Sequence, residues 1–230
     1  MVLKVAVTGA TGGIGAAAVK AWLAEGADVF AMSRTSKHDT TNDLKSRLIS
    51  IPCDICSEKS VEEAVNKISE RTPTLDVLVH CAGVGFFDTI ENTSHHDWTQ
   101  VIDTNLNGSF YLTKALLPLM RKSGKAHIFL VGSTAGRKGF VKNGAYSASK
   151  FGLFGFCEVL REEMRPLGIR VTHLTVGGVR TDFWEKNKTT FDTQTMIPPA
   201  DIANTVVYAY HVPPPTVIEE MIIKPSHGDY

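Results

Sequence analysis

The chain has 230 residues, with 24 Lys and Arg against 24 Asp and Glu, so its formal net charge is zero. That balance, with no Lys/Arg run, excludes a nucleic-acid binder working through bulk charge, and 43% hydrophobic with 21% charged residues is too apolar for intrinsic disorder. No stretch reaches about 18 consecutive apolar residues, and the opening Met1-Val2-Leu3-Lys4-Val5 lacks the layout of a signal peptide. The expectation is a soluble, cytoplasmic chain that folds as one domain over 1–230 without disulfide or metal staples.

In chain order, the apolar run Leu3–Thr8 predicts a first strand, followed at once by the glycine-rich Thr8-Gly9-Ala10-Thr11-Gly12-Gly13-Ile14-Gly15. Ile14, Ala18, Ala21, Trp22 and Glu25 then recur at helical spacing up to Gly26. Asp28–Ser33 and Leu48–Pro52 predict the next two strands, and Ser57 opens a helix with acidic residues in its first turn. After the fourth run, Leu75–Cys81, His95-His96 follow Ser94 as a solvated helix start, and one long helix is predicted over Trp98–Lys122. Ala126–Gly132 is the fifth strand, Tyr146–Arg165 a helix stopped by Pro166 and Gly168, and Arg170–Val176 the sixth strand. Pro213-Pro214-Pro215 stiffens a turn before the seventh, Val217–Lys224. Such runs, rich in Val, Ile and Leu and without polar alternation, suit parallel strands covered on both faces. The fold class is α/β: a doubly wound seven-stranded parallel sheet with helices on both faces, a three-layer Rossmann fold.

The four cysteines include Cys53-Asp-Ile-Cys56, at metal or redox spacing, but the chain has no second pair at ligand spacing, and Asp54 within the motif disfavours a thiolate. No metal site is expected.

The glycine loop, with a strand before it and a helix after it, places Gly9, Thr11, Gly12, Gly13 and Ile14 where backbone N–H groups meet a pyrophosphate. At the end of the second strand a carboxylate would bind ribose hydroxyls; Ser33 stands there instead, followed by Arg34. A guanidinium beside the missing acid suits a 2′-phosphate and so NADP(H) over NAD(H), unless Arg34 is an ordinary solvated loop residue. Asp54 and Ile55, after the third strand, are placed beside the adenine.

With Cys81-Ala82-Gly83, Asn105-Leu-Asn-Gly108, Ser133 and Tyr146-Ser-Ala-Ser-Lys150, the chain resembles the short-chain dehydrogenase/reductase family over essentially its whole length. The most specific element is Tyr146 and Lys150 at a helix start, with Ser133 thirteen residues upstream at a strand end. Tyr146 and Lys150 share a helix face, so a cation there, together with the positive charge of an oxidised nicotinamide, would lower the phenol from about 10 toward the working range. The resemblance implies Tyr146 as acid/base on a carbonyl or alcohol and Ser133 as partner of the substrate oxygen. It also implies Lys150 as holder of the nicotinamide ribose and Asn105 as anchor of a relay water. Cys81, Ala82 and Gly83 would line the adenosine side, and Gly178, Val179 and Thr181 the carboxamide.

Two residues depart from the family pattern: Cys81, where asparagine is usual, and Gly177, where proline is usual and whose φ freedom is expected to loosen the turn. The resemblance puts the substrate over the carboxyl ends of the strands, where Phe86, Phe87, Phe140, Phe183 and Trp184 imply an apolar pocket for a hydrophobic or ring-bearing carbonyl. Residues 179–199 are expected to form a lid. The helix Phe151–Leu160 is apolar on more than one stripe, which together with the resemblance implies a homodimer or homotetramer. Two other readings compete: a non-catalytic NADP(H) sensor, against which the intact Tyr146, Lys150, Ser133 and Asn105 speak, and a sugar-nucleotide epimerase or dehydratase, for which a last strand ending near Lys224 leaves no substrate domain.

Overall fold

Each apolar run becomes a strand because neighbouring residues feed two different cores. The computed structural model describes residues 2–35, 46–187 and 192–228. Strands β1 (Lys4–Thr8), β2 (Asp28–Ser33), β3 (Leu48–Pro52), β4 (Val77–His80), β5 (His127–Val131), β6 (Arg170–Val176) and β7 (Glu220–Ile223) form one parallel sheet in the order 3-2-1-4-5-6-7. Helices α1 (Gly13–Ala24), α2 (Glu58–Ser69), α3 (His95–Ile102), α4 (Gly108–Arg121), α5 (Gly144–Met164), the one-turn α6 (Phe183–Lys186) and α7 (Pro199–His211) cover it. In β1, Val5 and Val7 face α1 and α7 beside Trp22, Ile202 and Val206, while Ala6 faces the core shared by α2, α4 and α5. The period-two alternation survives as a choice between two apolar environments, which is why no polar stripe marks it.

Local chemistry sets the helix boundaries. Ser57 and Ser94 cap α2 and α3 by accepting from Ser60 N–H and Asp97 N–H. Gly26, at φ +76, turns the chain away from α1, and Gly168, at φ +69, ends the turn after α5. The long helix predicted over Trp98–Lys122 is not continuous. Asp103–Asn107 winds as a π-helical turn between α3 and α4, with Gly108 N–H reaching back to the Asp103 carbonyl. Helical periodicity does not report the one extra residue per turn, so apolar spacing alone reads the two helices as one.

The sheet's winding reverses between β1 and β4, and a crevice opens at the carboxyl ends of the strands there. Among the described residues no helix is long and apolar enough to cross a membrane. All four cysteines are free; burial pushes the Cys53 thiol up to about 11 and Cys157 up to about 12. No cluster of three or more His, Cys, Asp or Glu among the described residues could hold a metal.

Candidate active site

A cleft of about 800 Å³ lies over this switch point. Its near end is the β1–α1 turn, where Gly9, Thr11, Gly12, Gly13 and Ile14 line the wall. Gly9 has φ +63, and a Cβ on it would stand 3.0 Å from the backbone of Ala82, so both conformation and close approach demand glycine. The Thr8 hydroxyl fastens the same junction, accepting from Cys81 N–H and Ala82 N–H at 3.0 Å each. At the start of α1, Gly12 supplies no side-chain cap, which leaves first-turn N–H groups for a ligand's anionic oxygens. Thr181 closes over this turn, its methyl 3.0 Å from where a Gly13 Cβ would be.

Arg34, Cys81, Ala82, Gly83, Gly178, Val179 and Thr181 also line the cleft. Ser33, Asp54 and Ile55 are not part of its lining. The Ser33 hydroxyl donates to Thr35 O, and Asp54 Oδ1 accepts from Cys56 N–H at 3.0 Å in the turn leading to α2. Ile55 is 6% exposed, in the core against Gly108. Strand-end position alone does not separate a side chain facing the crevice from one that closes its own turn.

The far end gathers Ser133, Tyr146 and Lys150 along the cleft wall. Ser133 leaves β5 in extended conformation, and its Oγ accepts from Ala135 N–H at 3.1 Å. Tyr146 and Lys150 lie one turn apart on α5, with Nζ 5.7 Å from the phenol ring centroid. Burial pushes the Tyr146 phenol up to about 12, while a hydrogen bond from Ser133 pulls the other way. The expected lowering involves the nicotinamide's positive charge as well as Lys150, and these directions describe the chain's own groups alone. Lys150 is 5% exposed and donates to Val131 O at 3.0 Å. Burial pulls its ammonium down to about 8, with Cys81 acting in the opposite sense.

Asn105 sits in the π turn with its amide engaged. Oδ1 accepts from Val84 N–H, and Nδ2 donates to Val84 O and to Ser149 Oγ, all at 2.9 Å. Both amide protons are taken, so the side chain clasps the post-β4 loop to α5. Gly177, the departure expected to loosen the turn after β6, is tied into the sheet. Its N–H donates to Ile223 O at 2.8 Å and Pro225 packs against it, whereas a proline there would have no proton to extend that ladder.

Phe87, Phe140, Phe183 and Trp184 line the cleft, and Phe86 does not. Phe87 meets the Tyr146 ring edge-on at 5.8 Å, Phe183 lies 5.6 Å from it, and Trp184 stacks on Phe87 at 6.3 Å. A loop has no periodicity to choose between adjacent phenylalanines, and the same lack of signal hid Val84, Thr134, Lys142 and Asn143, which also line the cleft.

A helix N-terminus without a side-chain cap, a cation at the end of β2 and a half-buried phenol beside a buried ammonium fit a dinucleotide with its reactive ring beside Tyr146. These features define a nucleotide-dependent oxidoreductase on a doubly wound sheet. The chain belongs to the short chain dehydrogenase family, whose sequence profile matches residues 4–191. It is an NAD(P)-dependent oxidoreductase of the CH–OH/C=O type.

A sepiapterin reductase of Chlorobaculum tepidum is 38% identical over 179 residues, covering 78% of this chain and 73% of that protein. An NADP-dependent 3-hydroxy acid dehydrogenase of Salmonella typhi is 30% identical over 223 residues, 91% and 89% of the two chains. Among solved structures, an actinorhodin polyketide ketoreductase variant with NADPH superposes at TM-score 0.86 with 28% identity over the full length of both chains. A closed serine dehydrogenase with NADP+ superposes at 0.88 with 26% identity, covering 99% and 97%.

Proposed function

We propose that this chain is an NADP(H)-dependent reductase of hydrophobic or ring-bearing carbonyls, run in reverse on the corresponding alcohols. One observation carries the reading: Tyr146, with Ser133 and Lys150 beside it, stands under an aromatic wall in the same cleft whose other end is the glycine turn and Arg34. The glycine turn and the first turn of α1 would hold the pyrophosphate, Arg34 the 2′-phosphate, and Lys150 the nicotinamide ribose. Bound NADPH supplies a hydride to the carbonyl carbon.

The chain's own residues do the rest. Ser133 Oγ–H donates to the carbonyl oxygen as negative charge gathers there. Tyr146 Oη–H gives its proton to that oxygen, so C=O plus hydride plus proton becomes CH–OH. With its pKa pushed up to about 12, Tyr146 carries this proton at neutral pH, a state poised for reduction. Lys150, fixed on Val131 O, sets positive charge near the phenolate that proton transfer leaves and stabilises it. Phe87, Phe183 and Trp184 exclude water and stack on a planar substrate. The sepiapterin reductase and polyketide ketoreductase relatives support a ring-bearing carbonyl.

The test follows NADPH absorbance with ring-bearing ketones, 1-phenyl-1,2-propanedione among them, for wild type, Tyr146→Phe and Arg34→Ala. Wild type is expected to turn over NADPH, and Tyr146→Phe to lose at least about a thousandfold in kcat with NADPH affinity retained. Arg34→Ala is expected to weaken NADPH about tenfold or more while leaving NADH within about twofold. NADPH binding without turnover of any carbonyl would favour a sensor, and equal losses for the two cofactors would remove the argument from Arg34.

A further inference from the structure

A buried histidine next to the strand carrying Ser133 has no place in the chemistry above. His173, in the middle of β6, is 0% exposed. Its ring lies directly under the backbone at the end of β5: a Cβ on Gly132 would stand 2.2 Å from Nε2 and 2.4 Å from Cε1. Glycine at 132 therefore lets the imidazole act as the seat for the Gly132–Ser133 peptide.

The ring orientation is fixed from two sides. On one, Thr175 Oγ1 donates to Glu220 Oε1 at 2.8 Å. A carboxylate only accepts, so the same Thr175 oxygen accepts from His173 Nδ1–H, 3.1 Å away. Nε2 is left with its lone pair toward Gly132, and no hydrogen-bond partner for it is found among the described residues. On the other side, Phe154 of α5 packs edge-on against the imidazole at 5.2 Å and 82°.

Both supports then return to the loop that follows Ser133. Glu220 pairs with Arg137, and the Arg137 guanidinium lies 3.5 Å from the Phe154 ring centroid. Arg137 ends the short turn Thr134–Gly136 that Ser133 opens. The loop is thus seated on His173 where it starts and tied to Glu220 where it ends, with Thr175 joining the two points.

We propose that His173 is a positioning residue for Ser133, held by the circuit His173–Thr175–Glu220–Arg137 that clamps both ends of the Ser133–Arg137 loop onto β6 and β7. The circuit gives the buried His173 and Thr175 of β6 and the half-buried Glu220 of β7 one shared role. An apolar side chain at 173 would fill the space under Gly132 but could not be locked in orientation by β7. Burial pushes the His173 pKa down to about 4, with Lys150 reinforcing the shift, so the ring stays neutral through the physiological range. Its part is to fix where the Ser133 hydroxyl points, and the carbonyl oxygen's partner with it. This consequence for catalysis rests on the role of Ser133 proposed above.

Thr175→Val removes the hydroxyl at nearly constant volume, and Thr175→Ser restores it. Amide hydrogen exchange at Ala135, Gly136 and Arg137 is expected to speed up at least about tenfold in Thr175→Val and to return to the wild-type rate in Thr175→Ser. With 1-phenyl-1,2-propanedione and NADPH, kcat is expected to fall about tenfold in Thr175→Val while NADPH affinity stays unchanged. In a Ser133→Ala background, Thr175→Val is expected to add no further loss. Unchanged exchange in the loop overturns the circuit, and so does an equal kcat loss in both backgrounds. If Ser133→Ala itself leaves turnover intact, the role of Ser133 fails, while the exchange measurement still decides whether the circuit holds the loop.

Discussion

Lys150 shows how this site sets catalysis against stability. An ammonium 5% exposed has lost its hydration, and one bond to Val131 O returns only part of it. Burial takes its pKa from 10.5 to about 8. At roughly 1.4 kcal/mol per pH unit, that is a cost on the order of 3 kcal/mol to the cofactor-free fold. The sign follows from proton counting. Below pH 8 both folded and unfolded chains hold the proton, and the penalty is full. Between about pH 8 and 10.5 only the unfolded chain holds it, so stability rises with pH across that window and is level above it. Lys150→Met removes the charge at similar length and leaves the Val131 carbonyl unpaired. It is expected to stabilise the cofactor-free protein by about 1–2 kcal/mol at pH 7 and, because wild type gains about 3 kcal/mol across the window while the variant does not titrate there, to be the less stable of the two by about 1–2 kcal/mol at pH 10.5, while turnover is lost. Urea unfolding at the two pH values checks it; a variant no more stable than wild type at pH 7 would show that the buried charge is better compensated than its burial implies.

Among the elements, all seven strands and the capped starts of α2 and α3 were legible, because apolar runs and Ser caps report local physics directly. The π turn was not, since one extra residue leaves the helical pattern almost intact, yet it presents Asn105 to Val84 and Ser149. Tyr146, Lys150 and Ser133 were legible because their spacing is set within a helix and a strand end. Phe86 and Phe87 were not separable, because a loop's facing depends on contacts distant in sequence: Phe87 is chosen by Tyr146, Phe183 and Trp184. The segment after β6 is read in the same terms, although 188–191 lie outside the described residues. Its base is stitched by Arg180 N–H to Ile197 O at 2.9 Å and Ile197 N–H to Gly178 O at 3.0 Å. Within it, Trp184 Nε1 donates to Val179 O at 2.8 Å, holding α6 against the cleft. If this segment is the substrate lid, the bond stabilises its closed position by about 1 kcal/mol. Trp184→Phe keeps the aromatic face and loses the donor. It is expected to raise KM for 1-phenyl-1,2-propanedione about fivefold with kcat within about twofold; an unchanged KM would remove the lid from substrate binding.

On the scale of the whole molecule, the two faces of the sheet are closed by their helices, but the outer side of α4 and α5 is not apolar-free. Phe151 is 46% and Val159 59% exposed on α5, with Gly155 between them on the same helix face, where a Cβ would meet nothing within 4 Å. On α4, Phe110 is 43% exposed and packs edge-on against Phe156 at 6.1 Å. Residues 151, 155 and 159 recur at i, i+4 and i+8, so they form one stripe, and the small residue at its centre lets another helix approach closely. A two-fold axis across this stripe would set it against its own copy, burying the same apolar side chains from both chains without a charge mismatch. With zero net charge, no long-range repulsion opposes that pairing. Sedimentation equilibrium at micromolar concentration is expected to give twice the 25.1 kDa chain mass or a multiple of it. Val159→Glu places a carboxylate at the end of the stripe, where self-association would bury it unpaired in each copy, and is expected to shift the protein to monomer with its unfolding midpoint little changed. A wild-type mass of one chain would sink the self-association, and a Val159→Glu protein that stays dimeric would move the interface away from α5.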